Sequence, residues 1–266
     1  MTDLNRPLPA TQHLSLRKDP ETLLTPEQEQ EICAKMRAHL RTDVRYDMNF
    51  LRPPFVFEFG GPPSSGKSTN IKKLDDRLRG EGFRVLTVQE GAEAIRHIPR
   101  TTPLYNIRTG LDALVRLIDV VSGHQYDVVI FDRCIFDPDN WMAYWEDKNQ
   151  LSPAERIMIA DFFRLRFWVD HIVGAYILTC DPAVALERER KVTTRKSDGQ
   201  YTNLATIAKL KERYEFMCAR LCPLFPQLEL IDTTHHSAQT MTELITGKAL
   251  AAIDRHMNKV SVPQNG

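Results

Sequence analysis

The stretch that decides the fold is GPPSSGKST, which runs from Gly61 to Thr69. It fits the pattern of a glycine, four variable residues, and then glycine, lysine and serine without a gap. The apolar run Phe55–Phe59 enters it with the pattern of a buried strand, and the helical pattern Lys67–Leu78 leaves it. A strand, a tight loop and a helix in this order bring successive backbone N–H groups and a helix N-terminus to one concavity. The sequence therefore predicts a polyphosphate-binding loop, called here the glycine-rich loop (residues 61–69).

The side chains of the glycine-rich loop suggest how a nucleoside triphosphate would be held. We expect Lys67 to reach the β- and γ-phosphate oxygens, and the Ser68 hydroxyl to ligate Mg²⁺. Pro62 and Pro63 carry no N–H, so the amide donors must come mainly from Ser64 onward. A random chain of this size would carry the pattern only about once in a hundred, and we expect ATP and Mg²⁺ as the cofactors. The predicted contacts are Gly61, Ser64, Ser65, Gly66, Lys67, Ser68 and Thr69.

Short apolar runs separated by amphipathic segments indicate the architecture around this loop. Such spacing is typical of βαβ crossovers and of a buried parallel sheet with helices on both faces. We predict one sheet of five strands, at Phe55–Phe59, Arg84–Val88, Tyr126–Asp132, Gly174–Cys180 and Leu228–Asp232. The helices predicted between them include Lys67–Leu78, Leu111–Val121, a long one after the capping box that starts at Ser152, and Leu204–Leu221.

Composition narrows the classes of partner. The 266 residues hold 35 Lys and Arg against 35 Asp and Glu, so nucleic acid is not the expected partner. No run approaches the 18 or so apolar residues of a bilayer crossing, and the start is polar, so we expect a cytoplasmic protein without a membrane partner. The five cysteines form no CxxC pair, which gives no sign of a disulfide framework or a structural zinc site.

The first fifty residues differ in character from the rest. We divide the chain into an N-terminal polar arm and helix, residues 1–50, and one domain, residues 51–266. The segment Thr25-Pro26-Glu27-Gln28 predicts a helix from Pro26 to about Arg41. Its role stays open at this point between covering a sheet edge, contacting a second subunit in a homodimer and packing on the core.

A carboxylate and a guanidinium lie at the end of the third predicted strand. Asp132 and Arg133 follow the buried run Val128–Phe131, and ligands of open α/β sheets bind at the carboxyl ends of the strands. An isolated Asp-Arg pair at such an end is more often a solvated salt bridge, whereas behind a phosphate-binding loop a catalytic role is favoured. Asp132 is then a candidate Mg²⁺ ligand, direct or through water, or a base, and Arg133 would stabilise the transferring phosphate.

With these motifs the chain resembles the P-loop kinases of the nucleoside and nucleoside-monophosphate type. Their deoxynucleoside and thymidylate kinase branches carry an Asp-Arg at the end of the third strand, as at Asp132-Arg133 here. The resemblance covers residues 55 to about 235 in layout. It implies a three-layer α/β/α P-loop NTPase fold, here with an N-terminal helical extension, and ATP- and Mg²⁺-dependent phosphoryl transfer to a small acceptor, a nucleoside or a nucleotide.

The same resemblance suggests an acceptor carboxylate and a lid. Glu90, just after the second strand, looks like the acidic residue that contacts the acceptor and acts as a base, although a helix N-terminal acid is an equal alternative. Residues 183–200 resemble the lid of these kinases, with Arg188 and Arg190 neutralising charge over the donor phosphates. A solvated basic helix end is the alternative.

Two tryptophans could either pack in the core or stack on an acceptor base. For Trp141 and Trp145 core packing is favoured over stacking on an acceptor base.

The alternative functions are a P-loop kinase acting on a polynucleotide end or another small molecule, and a non-kinase NTP-hydrolysing switch. No residue that would orient an attacking water can be assigned for the switch.

Overall fold

A computed structural model describes residues 23–41, 53–91, 95, 97–123, 125–192 and 203–260. Within these residues, five parallel strands form one sheet in the order β2-β3-β1-β4-β5. The strands are β1 Phe55–Gly60, β2 Val85–Val88, β3 Val128–Asp132, β4 Ile172–Thr179 and β5 Leu228–Asp232. The predicted five-stranded parallel sheet is confirmed, with strand ends shifted by at most two residues.

Helices flank the sheet. They are α1 Pro26–Arg41, α2 Lys67–Gly80, α3 Pro103–Gly123, α4 Asp137–Asp147, α5 Pro153–Phe163, α6 Arg166–Val169, α7 Pro182–Val192, α8 Leu204–Leu221 and α9 Ala238–Val260. The predicted capping box closes the start of α5, because Ser152 Oγ accepts from Glu155 N while the Glu155 side chain accepts from Ser152 N.

The helices differ from the sequence prediction more than the strands do. The predicted long helix after Ser152 ends at Phe163 after 11 residues and is followed by the short α6, and α4 was not among the predicted helices. The helix α3 begins at Pro103 instead of Leu111, so Thr109 lies inside it, where its Oγ1 donates to the Asn106 carbonyl. The long C-terminal helix α9 was not predicted at all.

Alternating side chains on β1 separate two cores. Phe57 and Phe59 face one core, together with apolar residues of α1, α2 and α9. Val56 faces the other core, with residues of α3 and α8. All six residues of β1 are buried, because the central strand of a parallel sheet has helices on both faces. The predicted three-layer α/β/α architecture is confirmed.

The N-terminal helix packs on the C-terminal one. Met36 and Cys33 of α1 are buried in the core that also holds Ile253 and Met257 of α9. Of the three roles left open for α1, the described contacts therefore include core packing. The polar arm, residues 1–22, and the basic residues Arg195 and Lys196 of the predicted lid lie outside the described residues.

Candidate active site

The glycine-rich loop joins β1 to α2 through an unusual backbone path. Gly61 has φ 129° and Gly66 has φ 97°, both in the region that favours glycine. Ser64, which lies between them, has φ 57°. A Cβ on Gly61 would lie 2.0 Å from the Leu178 carbonyl oxygen of β4. The first glycine of the pattern is therefore required both for its backbone angle and for the close approach of the loop to the neighbouring strand.

Lys67 lies inside the loop. Its Nζ donates to the carbonyls of Gly61 and Pro62, each at 3.1 Å. Burial and the nearby charge of Arg133 lower the pKa of Lys67 to about 8. An anionic ligand would offset both effects, because it would add negative charge beside this buried ammonium.

A second set of contacts supports the loop from β5 and α7. Thr233 Oγ1 donates to the Ser65 carbonyl at 3.0 Å. Arg188, predicted to neutralise donor charge, donates to Thr233 Oγ1 and to the Thr233 carbonyl, each at 2.9 Å. Ser64 Oγ donates to Glu189 Oε2 at 2.5 Å. The helix α7 thus contacts the loop directly through Glu189 and indirectly through Arg188.

Arg133 is the centre of the charge network at the end of β3. Its side chain donates to Asp137 Oδ1 at 2.7 Å, to the Tyr214 hydroxyl at 2.7 Å and to the Gly61 carbonyl at 3.1 Å. Its Nε lies 3.2 Å from Glu90 Oε2. Burial opposes its charge, but Asp137, Tyr214 and Glu90 outweigh that cost and raise the pKa of Arg133 well above its ordinary value.

A cleft lies beside this network, between the end of β2, α3 and α4. Its lining includes Glu90, Asn106, Asp112, Arg116, Asp132 and Trp141. It holds about 380 Å³ of empty space, a figure that includes the solvent at its mouth. Glu90 and Arg133 both line it, so the predicted acceptor carboxylate and the predicted phosphate-stabilising arginine share one cleft.

The two tryptophans have different surroundings. Trp145 is buried and donates from Nε1 to Asn106 Oδ1 at 2.8 Å, which fits core packing. Trp141 lines the cleft, donates to Asp137 Oδ2 at 2.8 Å and lies 5.8 Å from the guanidinium of Arg133. Only Trp141 is placed to contact a ligand in the cleft.

Asp132 and Ser68 fit a magnesium ion. Asp132 Oδ1 is buried, and the structure gives it no hydrogen-bond partner, while Ser68 is exposed in the first turn of α2. Carboxylate and hydroxyl oxygens suit Mg²⁺, which usually takes few protein ligands and fills its shell with water and substrate phosphates. Within the described residues no cluster of three or more His, Cys, Asp and Glu could hold a metal.

Three residues near Arg133 were not predicted from the sequence to take part: Glu58, Asp137 and Tyr214. Tyr214 donates to Asp137 Oδ1 at 2.6 Å, from α8 to α4. Glu58 is 0 % exposed in the middle of β1. A carboxylate inside the apolar run FVFEF was a signal that could have drawn attention to Glu58.

Comparison with known proteins gives a sequence relative and a fold. No family model matches the chain. Over 175 residues it is 29% identical to a thymidylate kinase of Geobacillus sp. (strain WCH70), a match covering 59% of this chain and 80% of that protein. A solved structure of a deoxyadenosine kinase from M. mycoides, with dCMP and dCDP bound, superposes with a TM-score of 0.51 at 16% identity. That match covers 77% of this chain and 98% of the other.

No helix in the described part of the chain is long and apolar enough to cross a bilayer. The five-stranded parallel sheet, the glycine-rich loop after its central strand and the two comparisons agree with one another. The chain has a P-loop fold of the nucleoside and nucleotide kinase type, and the comparisons indicate a kinase of that kind.

Proposed function

We propose that the chain transfers a phosphoryl group from ATP, with Mg²⁺, to a small acceptor that is a nucleoside or a nucleotide. One observation supports this most strongly. Arg133 contacts the Gly61 carbonyl of the glycine-rich loop and the carboxylate of Glu90 in the cleft. A donor held by the loop and an acceptor held in the cleft would therefore meet at one guanidinium, as phosphoryl transfer requires.

On the donor side, the loop amides from Ser64 onward and the Lys67 ammonium would bind the phosphate oxygens. Ser68 and Asp132 would hold Mg²⁺, which supplies positive charge against the phosphates when bound. Arg188 and Arg190 of α7 are proposed to add positive charge near the loop. The lid as a whole, residues 183–200, stays a prediction.

On the acceptor side, Glu90 would accept the proton of the attacking hydroxyl or orient that hydroxyl. Arg133 would stabilise the negative charge that builds on the transferring group. Both side chains already form an ion pair, with Nε and Oε2 3.2 Å apart. An acceptor hydroxyl at Glu90 would thus lie beside the charge that stabilises the transition state.

The charges of the cleft favour an uncharged acceptor. Its described lining holds four carboxylates and two guanidiniums: Glu90, Asp112, Asp132 and Asp137 against Arg116 and Arg133. Both arginines are paired with carboxylates of this set. We therefore expect a nucleoside to be used better than its monophosphate, although the relatives' names include acceptors of both kinds.

An acceptor panel tests this proposal. The full chain is incubated with ATP and Mg²⁺ and with each nucleoside, each nucleoside monophosphate and an oligonucleotide ending in a 5′-hydroxyl, and ADP release is followed. We expect release that depends on the acceptor, fastest with a nucleoside. Release at one rate with and without every acceptor would support an NTP-hydrolysing switch, and release with the oligonucleotide alone would support a polynucleotide-end kinase.

A matched pair of lysines provides the control. We expect Lys67→Ala to lower turnover on the order of a hundredfold or more, as loss of a charge aimed at the transition state does, without changing the melting temperature by more than a few degrees. Lys72→Ala changes an exposed lysine of the same helix and should leave turnover unchanged. Wild-type rates in Lys67→Ala would remove the donor assignment.

A further inference from the structure

Glu58 is a fully buried carboxylate in the middle of β1 whose described partners are all backbone N–H groups. Its Oε1 accepts from Cys134 at 2.9 Å and from Asp137 at 3.1 Å. Its Oε2 accepts from Ile135 at 3.0 Å, and both oxygens lie 3.1 Å from the N–H of Phe136. One side chain therefore satisfies four successive amides that follow Arg133.

These amides have no other side-chain cap. The helix α4 starts at Asp137, and its N-cap residue, Phe136, makes no side-chain capping bond. The first N–H groups of a helix lack partners within the helix and carry partial positive charge, so a carboxylate from the neighbouring strand can take the place of a local cap. Glu58 has that position, since β1 pairs directly with β3.

The bonds require an acceptor on both oxygens, which the ionised carboxylate provides. Burial raises the pKa of Glu58 to about 7, while the N–H groups of Cys134 and Phe136 act in the opposite direction. A neutral carboxyl group would carry a hydrogen that faces only other donors. The geometry thus matches the charged form of the side chain.

The segment held by Glu58 determines where the Arg133 side chain lies. Arg133 has φ 67°, a conformation that costs a residue with a side chain energy unless its surroundings fix it. Four residues later, the Asp137 carboxylate receives the Arg133 guanidinium at 2.7 Å. The turn from Arg133 to Asp137 thus sets both the backbone of Arg133 and the anchor of its side chain.

We propose that Glu58 is a positioning residue for phosphoryl transfer: it fixes the turn between β3 and α4 so that the Arg133 guanidinium lies between the glycine-rich loop and Glu90. This inference rests on the proposed function. Glu58 acts on the reaction through Arg133, since its described contacts are to backbone amides of the turn that anchors that side chain.

The test compares Glu58→Gln with Glu229→Gln, a strand glutamate of β5 whose partner is Lys248, away from the cleft. The glutamine keeps the size of Glu58 but turns an NH₂ group toward amides that need an acceptor. We expect kcat to fall on the order of 10- to 100-fold, the range that misplacing a catalytic group by about an ångström can produce. The dissociation constant for ATP should stay within about twofold, and Glu229→Gln should match the wild type.

A double-mutant cycle separates positioning from general destabilisation. If Glu58 acts through Arg133, Glu58→Gln should cost little further kcat in an Arg133→Ala background, because the residue that it positions is gone. Additive losses in kcat would overturn the inference, as would a folded Glu58→Gln variant with the wild-type kcat.

Glu58→Asp keeps the charge and serves if Glu58→Gln does not fold; it should show a smaller loss of kcat with the same retention of ATP binding. If neither variant folds, the role of Glu58 is structural and the inference is overturned. A wild-type chain that phosphorylates no acceptor would refute the proposed function, and this inference with it. An active wild type whose kcat does not respond to Glu58 would refute the inference alone.

Discussion

The guanidinium of Arg133 makes contacts that no single element of secondary structure could provide. Its partners come from the glycine-rich loop, from Glu90 two residues after β2, from α4 and from α8. The backbone angle that directs it, φ 67°, persists because Asp137 and the amides after Arg133 are themselves held. Strained residues supported in this way are frequent at functional sites.

Residues at a fixed place in a motif could be predicted, and residues defined by tertiary contacts could not. Lys67 follows from the loop pattern, and Asp132 and Arg133 follow from their place at the end of a strand. Glu58 and Asp137 are 79 positions apart in the chain, and only the pairing of β1 with β3 brings them together. The separation of the two residues in the sequence gives no indication of that contact.

The depressed pKa of Lys67 predicts how ATP binding depends on pH. Lys67 loses its proton near pH 8 in the unliganded protein, and bound phosphates would raise that pKa again. ATP binding above pH 8 should therefore take up a proton, and affinity should fall by up to about tenfold for each pH unit. Calorimetry from pH 7 to 9.5, in buffers of different ionisation enthalpy, measures both quantities.

The stability of the fold depends on the Lys67 proton in the opposite direction to ATP affinity: it rises with pH. Between pH 8 and the ordinary lysine pKa of 10.5 the unfolded chain binds the Lys67 proton and the native chain does not, so the contribution of Lys67 to the free energy of unfolding increases as pH rises. Lys67→Ala removes both effects and is the control. An ATP affinity that stays flat from pH 7 to 9.5 in the wild type would contradict the assignment of Lys67.

Glu90→Gln should lower the rate of transfer to the acceptor and leave ATP binding unchanged. The glutamine retains the size of the side chain but cannot take a proton, and loss of a general base costs about 10² to 10⁴ in rate. We expect kcat to fall in that range while the dissociation constant for ATP stays unchanged. Glu243→Gln, at an exposed glutamate of α9, is the matched control. Equal loss of transfer and of ATP binding would show that Glu90 has another role.

Among the elements, the strands were predicted better than the helices. Apolar runs such as Phe55–Phe59 are continuous because β1 is buried on both faces, and that signal depends little on context. The helix α3 extends to Pro103, eight residues before its predicted start at Leu111. The missed first turns contain Asn106, Thr109 and Gly110, residue types with a low helix propensity, which explains why they were not predicted.

The helix α1 should contribute to the stability of the whole domain. Met36 is fully buried between α1 and the core shared with α9. We expect Met36→Ala to lower the free energy of unfolding by about 2–5 kcal/mol, as for other large-to-small core substitutions. Denaturant unfolding with unchanged m-value measures the loss. The neighbouring Lys35 is about half exposed, so Lys35→Ala should lower the free energy of unfolding only slightly. If Met36→Ala lowered it no more than Lys35→Ala does, α1 would not be part of the core.

At the scale of the molecule, the strand order brings the proposed donor and acceptor residues together. The adjacent strands β2, β3 and β1 end in Glu90, in Asp132 with Arg133, and in the glycine-rich loop respectively. Parallel strands place all their carboxyl ends at one edge of the sheet. The chain therefore brings the proposed acceptor acid, the proposed metal-binding carboxylate and the glycine-rich loop side by side, in that order. This arrangement followed from the sequence once the sheet was predicted to be parallel, but the strand order did not.

Following the terminal phosphate of ATP tests the central claim most directly. The full chain is incubated with Mg²⁺ and γ-³²P-labelled ATP in the presence of the best nucleoside of the acceptor panel, and the labelled products are separated. Our account predicts that the label moves to the nucleoside with the wild-type chain, and on the order of a hundredfold more slowly with Lys67→Ala. Label that appears only as inorganic phosphate, or stays on ATP with every acceptor, would contradict it.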